Sequence, residues 1–261
     1  MRKLPFQLVP LAVACGILAA ATISPALAIP VTFAQFVQQD GAQQAWSIAT
    51  TGAGVTTITA SSNVTFFFSG VPGVPFAGGE NAIFSLTASS SQLGNCGVNC
   101  GTGDSFVQPG YAGSFSFTDA GATPGTNLLS GTFAVSATPA TSGAQLRSTI
   151  GSSGAGFAAS ANTSNPTQLV MSSDYLNLSG QTQQNASWSI SSLVPNFFTG
   201  PVLLAQARPG TGTFRGAGAG TFSSEPGPTA LVPEPASLLV LGAGLIGLAA
   251  VRRRATPALA A

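Results

Sequence analysis

The chain has 261 residues, 44% of them hydrophobic and only 6% charged, with 32 glycines, 18 prolines and no histidine. A soluble domain ordinarily carries about 25% charged residues, so a polyelectrolyte is excluded, and so is any mechanism that needs an imidazole. The Ser-His-Asp triad, the Cys-His pair and the usual zinc ligand sets go with it.

Residues 1–28 read as a secretory signal peptide, to be set aside before fold reasoning. Arg2 and Lys3 precede an apolar stretch from Leu8 to Ile23, and Ala26-Leu27-Ala28 supplies small residues around the cleavage point. Cleavage after Ala28 makes Ile29 the first mature residue and implies the Sec translocon and signal peptidase as partners. The alternatives are an uncleaved anchor and a lipoprotein site at Cys15. The second is disfavoured by Ala12, where a leucine-like residue is usual.

A β-rich exported domain is expected over residues 29–222. Up to Val232 the mature chain sets Arg147, Arg208 and Arg215 against Asp40, Glu80, Asp104, Asp119, Asp174 and Glu225, a net formal charge of −3. Three dispersed arginines cannot neutralise a run of phosphates, so nucleic acid is not an expected partner. Phe33 to Trp46 leaves a helical turn open. Beyond it, apolar residues recur at every second place with Ser or Thr between them. The pattern runs through Thr56-Thr57-Ile58-Thr59, Val64 to Phe68, Ile83 to Thr87, Ser114 to Thr118, Thr132 to Ser136, Tyr175 to Leu178 and Ser187 to Ile190, with short candidates at Thr213-Phe214 and Thr221-Phe222. Alternation of this kind describes strands with one face in a core and one in water.

Segment 141–167, rich in Ser, Ala, Gly and Asn, reads as a long loop or a loose strand pair. Gly216-Ala217-Gly218-Ala219-Gly220 has neither the lysine nor the following helix of a phosphate cradle, and marks a turn or close strand packing. Many short strands with almost no helix pattern predict a mainly β fold. The expectation is an antiparallel β-sandwich or jelly-roll ectodomain between an N-terminal signal helix and a C-terminal transmembrane helix.

Cys15 leaves with the signal peptide, and an even pair in an exported chain, Cys96 and Cys100, predicts a disulfide. The six carboxylates are scattered as singles. A glycosidase pair needs only two in one cleft, so a carbohydrate-active enzyme stays open, but no metal-loop spacing occurs and neither a metal nor a cofactor is expected. A solvent face of Ser and Thr suggests hydrogen bonding to water or polysaccharide. A module that contacts an ordered surface such as ice would need regular Thr ranks, and the Thr spacing along the chain is irregular.

Residues 223–235, with Pro226, Pro228, Pro233 and Pro235, read as a Pro-rich linker. Residues 236–251 form an uncharged apolar run that ends at Arg252-Arg253-Arg254. Sixteen residues is short for a spanning helix, which wants about 20, but arginines snorkel and extend the span. The same arginines stop transfer and hold the basic tail 252–261 in the cytoplasm. Gly242-Ala243-Gly244-Leu245-Ile246-Gly247 matches a dinucleotide fingerprint in letters only, because no βαβ unit and no acidic residue can follow it.

Pro233-Glu234-Pro235, an apolar helix and an arginine cluster, in that order near the C-terminus, resemble the PEP-CTERM sorting signal of exported bacterial proteins over residues 231–254. The resemblance implies recognition by an exosortase, a membrane-embedded protease, in a Gram-negative host that makes exopolysaccharide. The expectation is a non-enzymatic surface or matrix protein, transiently anchored in the inner membrane and then displayed outside, with polysaccharide as a further partner. An anchored lectin or carbohydrate-active enzyme is the alternative.

Overall fold

The computed structural model describes residues 30–51, 54–74, 78–96, 100–135, 144–162, 164–165, 168–197 and 213–230. The signal segment with Ala26, Ala28 and Ile29, the sorting residues Pro233, Glu234 and Pro235, the apolar run 236–251 and Arg252 to Arg254 lie outside them. Among the described residues no helix is long and apolar enough to cross a membrane.

The first strands are β1 (Val31–Gln38), β2 (Trp46–Thr50), β3 (Thr56–Phe68), β4 (Glu80–Ser90), β5 (Ser105–Asp119) and β6 (Asn127–Phe133). There follow β7 (Ala144–Thr149), β8 (Ala155–Ala161), β9 (Leu169–Ser172), β10 (Leu176–Asn177), β11 (Gln183–Val194), β12 (Thr213–Glu225) and β13 (Thr229–Ala230). The turn left open at Phe33 to Trp46 is therefore strand β1, a loop and the start of β2. Segment 141–167 contains the strand pair β7–β8. The two short candidates near Phe214 and Phe222 are one continuous strand. The expected linker starts later than residue 223, since β12 runs to Glu225 and Thr229–Ala230 pairs with β10.

The fold is mainly β and antiparallel, as the alternation requires. Its hydrogen bonding closes on itself: β3–β4–β5–β7–β8–β11–β12–β2 and back to β3, every pair antiparallel. The expected sandwich or jelly roll is thus bonded as one continuous surface. A closed sheet has no long unpaired edge to template aggregation.

Two places on the circuit hold two strands end to end. Between β3 and β12, β1 fills one half and β2 the other. At the handover Gln38 replaces missing backbone. Its Oε1 accepts from Gly218 N at 3.1 Å, and its Nε2 donates to the Asp40 and Gln43 carbonyls. Strand β5 shifts register at Pro109-Gly110, still pairs with β7 at Tyr111 and pairs with β6 from Gly113. Pro109 has no N–H to offer a ladder, and Gly110 adopts φ +77°, a conformation glycine takes without strain. Beside β6, β9 meets β11 through a side chain, with Met171 N donating to Gln184 Oε1 at 3.2 Å.

Inward residues fill the barrel with rings. Phe36, Phe84 and Phe117 lie 4.8 Å apart, centroid to centroid. Phe117 on β5 and Phe222 on β12 stand on opposite sides of the circuit and still touch, at 5.5 Å. The interior is a packed core, with each ring contributing about 1.5–3 kcal/mol by leaving water.

Strand directions give the barrel two different rims. Val31, the 119–127 loop, β10 and β13 lie at one end, so the two ends of the folded domain leave from the same rim. The turns at 51–55, 90–105 and 149–155 lie at the other.

Candidate functional site

The carboxylates, the residues with most chemical potential in a chain without histidine, are engaged in fastening loops. Asp119 is only 2% exposed. Its Oδ1 accepts from Gly121 N at 2.6 Å, and its Oδ2 accepts from the Thr123 amide at 2.7 Å and the Thr123 hydroxyl at 2.5 Å. Burial pushes this carboxyl upward, but those hydrogen bonds outweigh it and hold the group below its ordinary value. Glu80 accepts from Ala122 N in the same loop, Asp174 from Asn127 N, Asp40 from Ala42 N and Asp104 from Gly101 N. Among the described residues no group of three Asp, Glu or Cys side chains is placed to hold a metal ion.

Cys96 and Cys100 are joined in a disulfide with Cα atoms 5.0 Å apart, at the rim opposite the chain ends. A small concavity beside it is lined by Asn95, Asp104, Ser105 and Val107. Deeper in the barrel wall, Tyr111 donates to Gln108 Oε1 at 2.7 Å, while Gln108 Nε2 donates to Thr56 Oγ1 and the Gln92 carbonyl. Burial drives the Tyr111 phenol far up, so it stays protonated as a structural donor.

Register assembles the outer face. Ser61, Ser85, Ser116, Ser130 and Ser172 sit side by side on β3, β4, β5, β6 and β9. Beside that row run Thr59, Thr87, Ser114 and Thr132, and beyond it Thr57 and Ser89. These side chains point outward, exposed or half-buried, and no charged residue stands among them. Neighbours in a rank are about 4.8 Å apart and ranks about 6.7 Å apart, from strand spacing and two-residue rise. The irregular Thr spacing along the chain thus gives regular ranks in space, because serines complete them and pairing brings distant segments together. Ser130 and Ser172 are already hydrogen-bonded across strands, at 2.9 Å.

Residues 231–254 match the PEP-CTERM protein-sorting motif. The match takes in Pro233, Glu234 and Pro235, the apolar run and Arg252 to Arg254, and it begins one residue after β13 ends. A sorting signal of this kind marks an exported bacterial protein that is sorted by an exosortase, a membrane protease. No curated protein and no solved structure matches the chain.

Proposed function

We propose that the chain is a non-enzymatic surface or matrix protein of a Gram-negative bacterium, displayed through its sorting signal and associated with exopolysaccharide. In this reading signal peptidase cleaves before Ile29, residues 236–251 hold the chain in the membrane during sorting, and the barrel is the displayed part. The observation that carries it is the charge-free, hydroxyl-ranked face over β3, β4, β5, β6 and β9. Such a surface exchanges hydrogen bonds with hydrated sugar chains without electrostatic repulsion between neighbouring molecules. The non-enzymatic part is supported by Asp40, Glu80, Asp104, Asp119 and Asp174, whose carboxylate oxygens accept from backbone amides.

The test is co-sedimentation of the full-length protein, purified in detergent, with polysaccharide extracted from the host, with released sugar measured in parallel. Co-sedimentation without sugar release is the expected result. Sugar release abolished by a single carboxylate substitution would establish the enzyme instead, and absence from the polysaccharide pellet would overturn the association.

A further inference from the structure

Glycines 216, 218 and 220 on β12 are demanded by packing. A Cβ on Gly216 would lie 2.6 Å from the Ser191 carbonyl, on Gly218 2.2 Å from Trp46 Nε1, and on Gly220 2.6 Å from a Phe36 ring carbon. Gly156, the second residue of β8, is different. A Cβ there would meet nothing closer than the Trp188 carbonyl at 4.0 Å, and its φ lies outside the left-handed region. Glycine within a strand weakens it, and where packing does not require one it marks a bulge, a tight bend or the close approach of a ligand or another backbone.

The surroundings of Gly156 fit the approach of a ligand. It pairs with Arg147 on β7 and Ser189 on β11. Gly156 forms part of the floor of an open trough of about 560 Å³, lined also by Arg147, Thr149, Ser187, Ser189 and Ser105. The strands carrying the two walls, β7 and β11, are about 9.5 Å apart backbone to backbone, two interstrand spacings with β8 between them. Arg147 is exposed and donates to Gln145 Oε1 at 2.9 Å. No carboxylate is among the residues lining the trough. A guanidinium has five N–H donors in a planar fork suited to a carboxylate. In a domain of net negative charge, this is a local positive site flanked by hydroxyls.

We propose that the Gly156 trough binds a carboxylate-bearing sugar chain, with Arg147 on the carboxylate and Ser187 and Ser189 on the ring hydroxyls. The proposal deepens the polysaccharide association above, and rests on it. It assigns the ligand an acidic sugar and puts the contact on β7, β8 and β11, a different face from the hydroxyl ranks.

Titration calorimetry at low ionic strength on the full-length protein in detergent compares a galacturonate hexamer with the galactose hexamer of the same linkage. The uronate should bind at least tenfold more tightly. Arg147→Gln should remove that difference. Gly156→Val should weaken uronate binding at least tenfold while the protein melts at or above the parent temperature, because the new side chain enters open space. Equal affinity for the two hexamers, unchanged uronate binding in Arg147→Gln, or no uronate binding by the parent would each overturn the proposal. If host polysaccharide still co-sediments while the uronate fails, only the trough assignment falls. If both fail, the association falls with it.

Discussion

Asp119 shows how this chain uses a carboxylate. The side chain is buried, both oxygens accept from the loop that follows, and the loop's Thr123 hydroxyl also contacts Tyr175 Oη at 2.8 Å. One ionised group therefore ties the β5–β6 turn to the segment that leads into β10. Its carboxyl is held below the ordinary value in the fold, so the folded state favours the ionised form relative to the unfolded chain. The stability this contributes is complete above the unfolded value, about pH 3.9, and is lost as pH falls through the lower folded value. Asp119→Asn removes one acceptor and turns an N–H towards amides that already donate. It should cost about 1–3 kcal/mol at neutral pH and reduce the loss of stability below about pH 4. Urea unfolding of parent and variant at pH 7 and pH 3 measures both effects, and an equal loss on acidification in the two proteins would contradict the assignment.

At the level of elements, alternation of Phe with Ser or Thr made the long strands legible. In β3, β4, β5 and β11 the inward positions carry the core and the outward ones the hydroxyls. Ile83 breaks the rule in the expected way for a lone apolar residue, standing 49% exposed on the outer face. The short strand β2 was not legible, because five residues are too few to establish a period, although Trp46 and Ile48 both enter the core. The division of β12 at its glycines was an error of the same origin. Glycine reads as punctuation along a chain, whereas here Gly216, Gly218 and Gly220 face inward and give the rings of Trp46, Phe36 and Trp188 room to lie on the strand. Register was beyond the sequence altogether. The serine ranks depend on which strands pair and in which register, and the meeting of Arg147 with Gly156 depends on the register of the β7–β8 hairpin. The glycine stripe carries its own expected outcome. Gly218→Ala places a methyl on the Trp46 indole and should destabilise by about 1–3 kcal/mol through overpacking, with a loss of near-ultraviolet tryptophan signal. An unchanged denaturation midpoint would show that Trp46 moves aside freely.

On the scale of the whole molecule, the barrel is apolar inside and hydroxyl-bearing outside, the reverse of a barrel that faces lipid. Both ends of the domain leave from one rim, so the disulfide turn lies at the far end, and the Arg147 trough, at Ser189, lies roughly 20 Å along β11 from that rim. Between Ala230 and the apolar run there are only residues 231–235, which reach at most about 17 Å when extended. In the function proposed above, that short connection serves as both tether and processing site. Pro233 and Pro235 lack the backbone N–H that a helix interior needs, and they stand in the motif that an exosortase recognises. In the same proposal Arg252, Arg253 and Arg254 hold the other end, since drawing each to mid-bilayer costs roughly 2.5–3.5 kcal/mol. Replacing Pro233, Glu234 and Pro235 together with alanine should therefore leave export intact and stop tail processing, so that uncut protein accumulates in the membrane. Replacing the three arginines with serine should instead loosen the anchor while the processing segment stays unaltered. Immunoblots of membrane and secreted fractions separate the two outcomes by mass and by compartment. Normal processing of the alanine variant in the native host would show that the apolar run alone, without the Pro-Glu-Pro segment, directs the sorting.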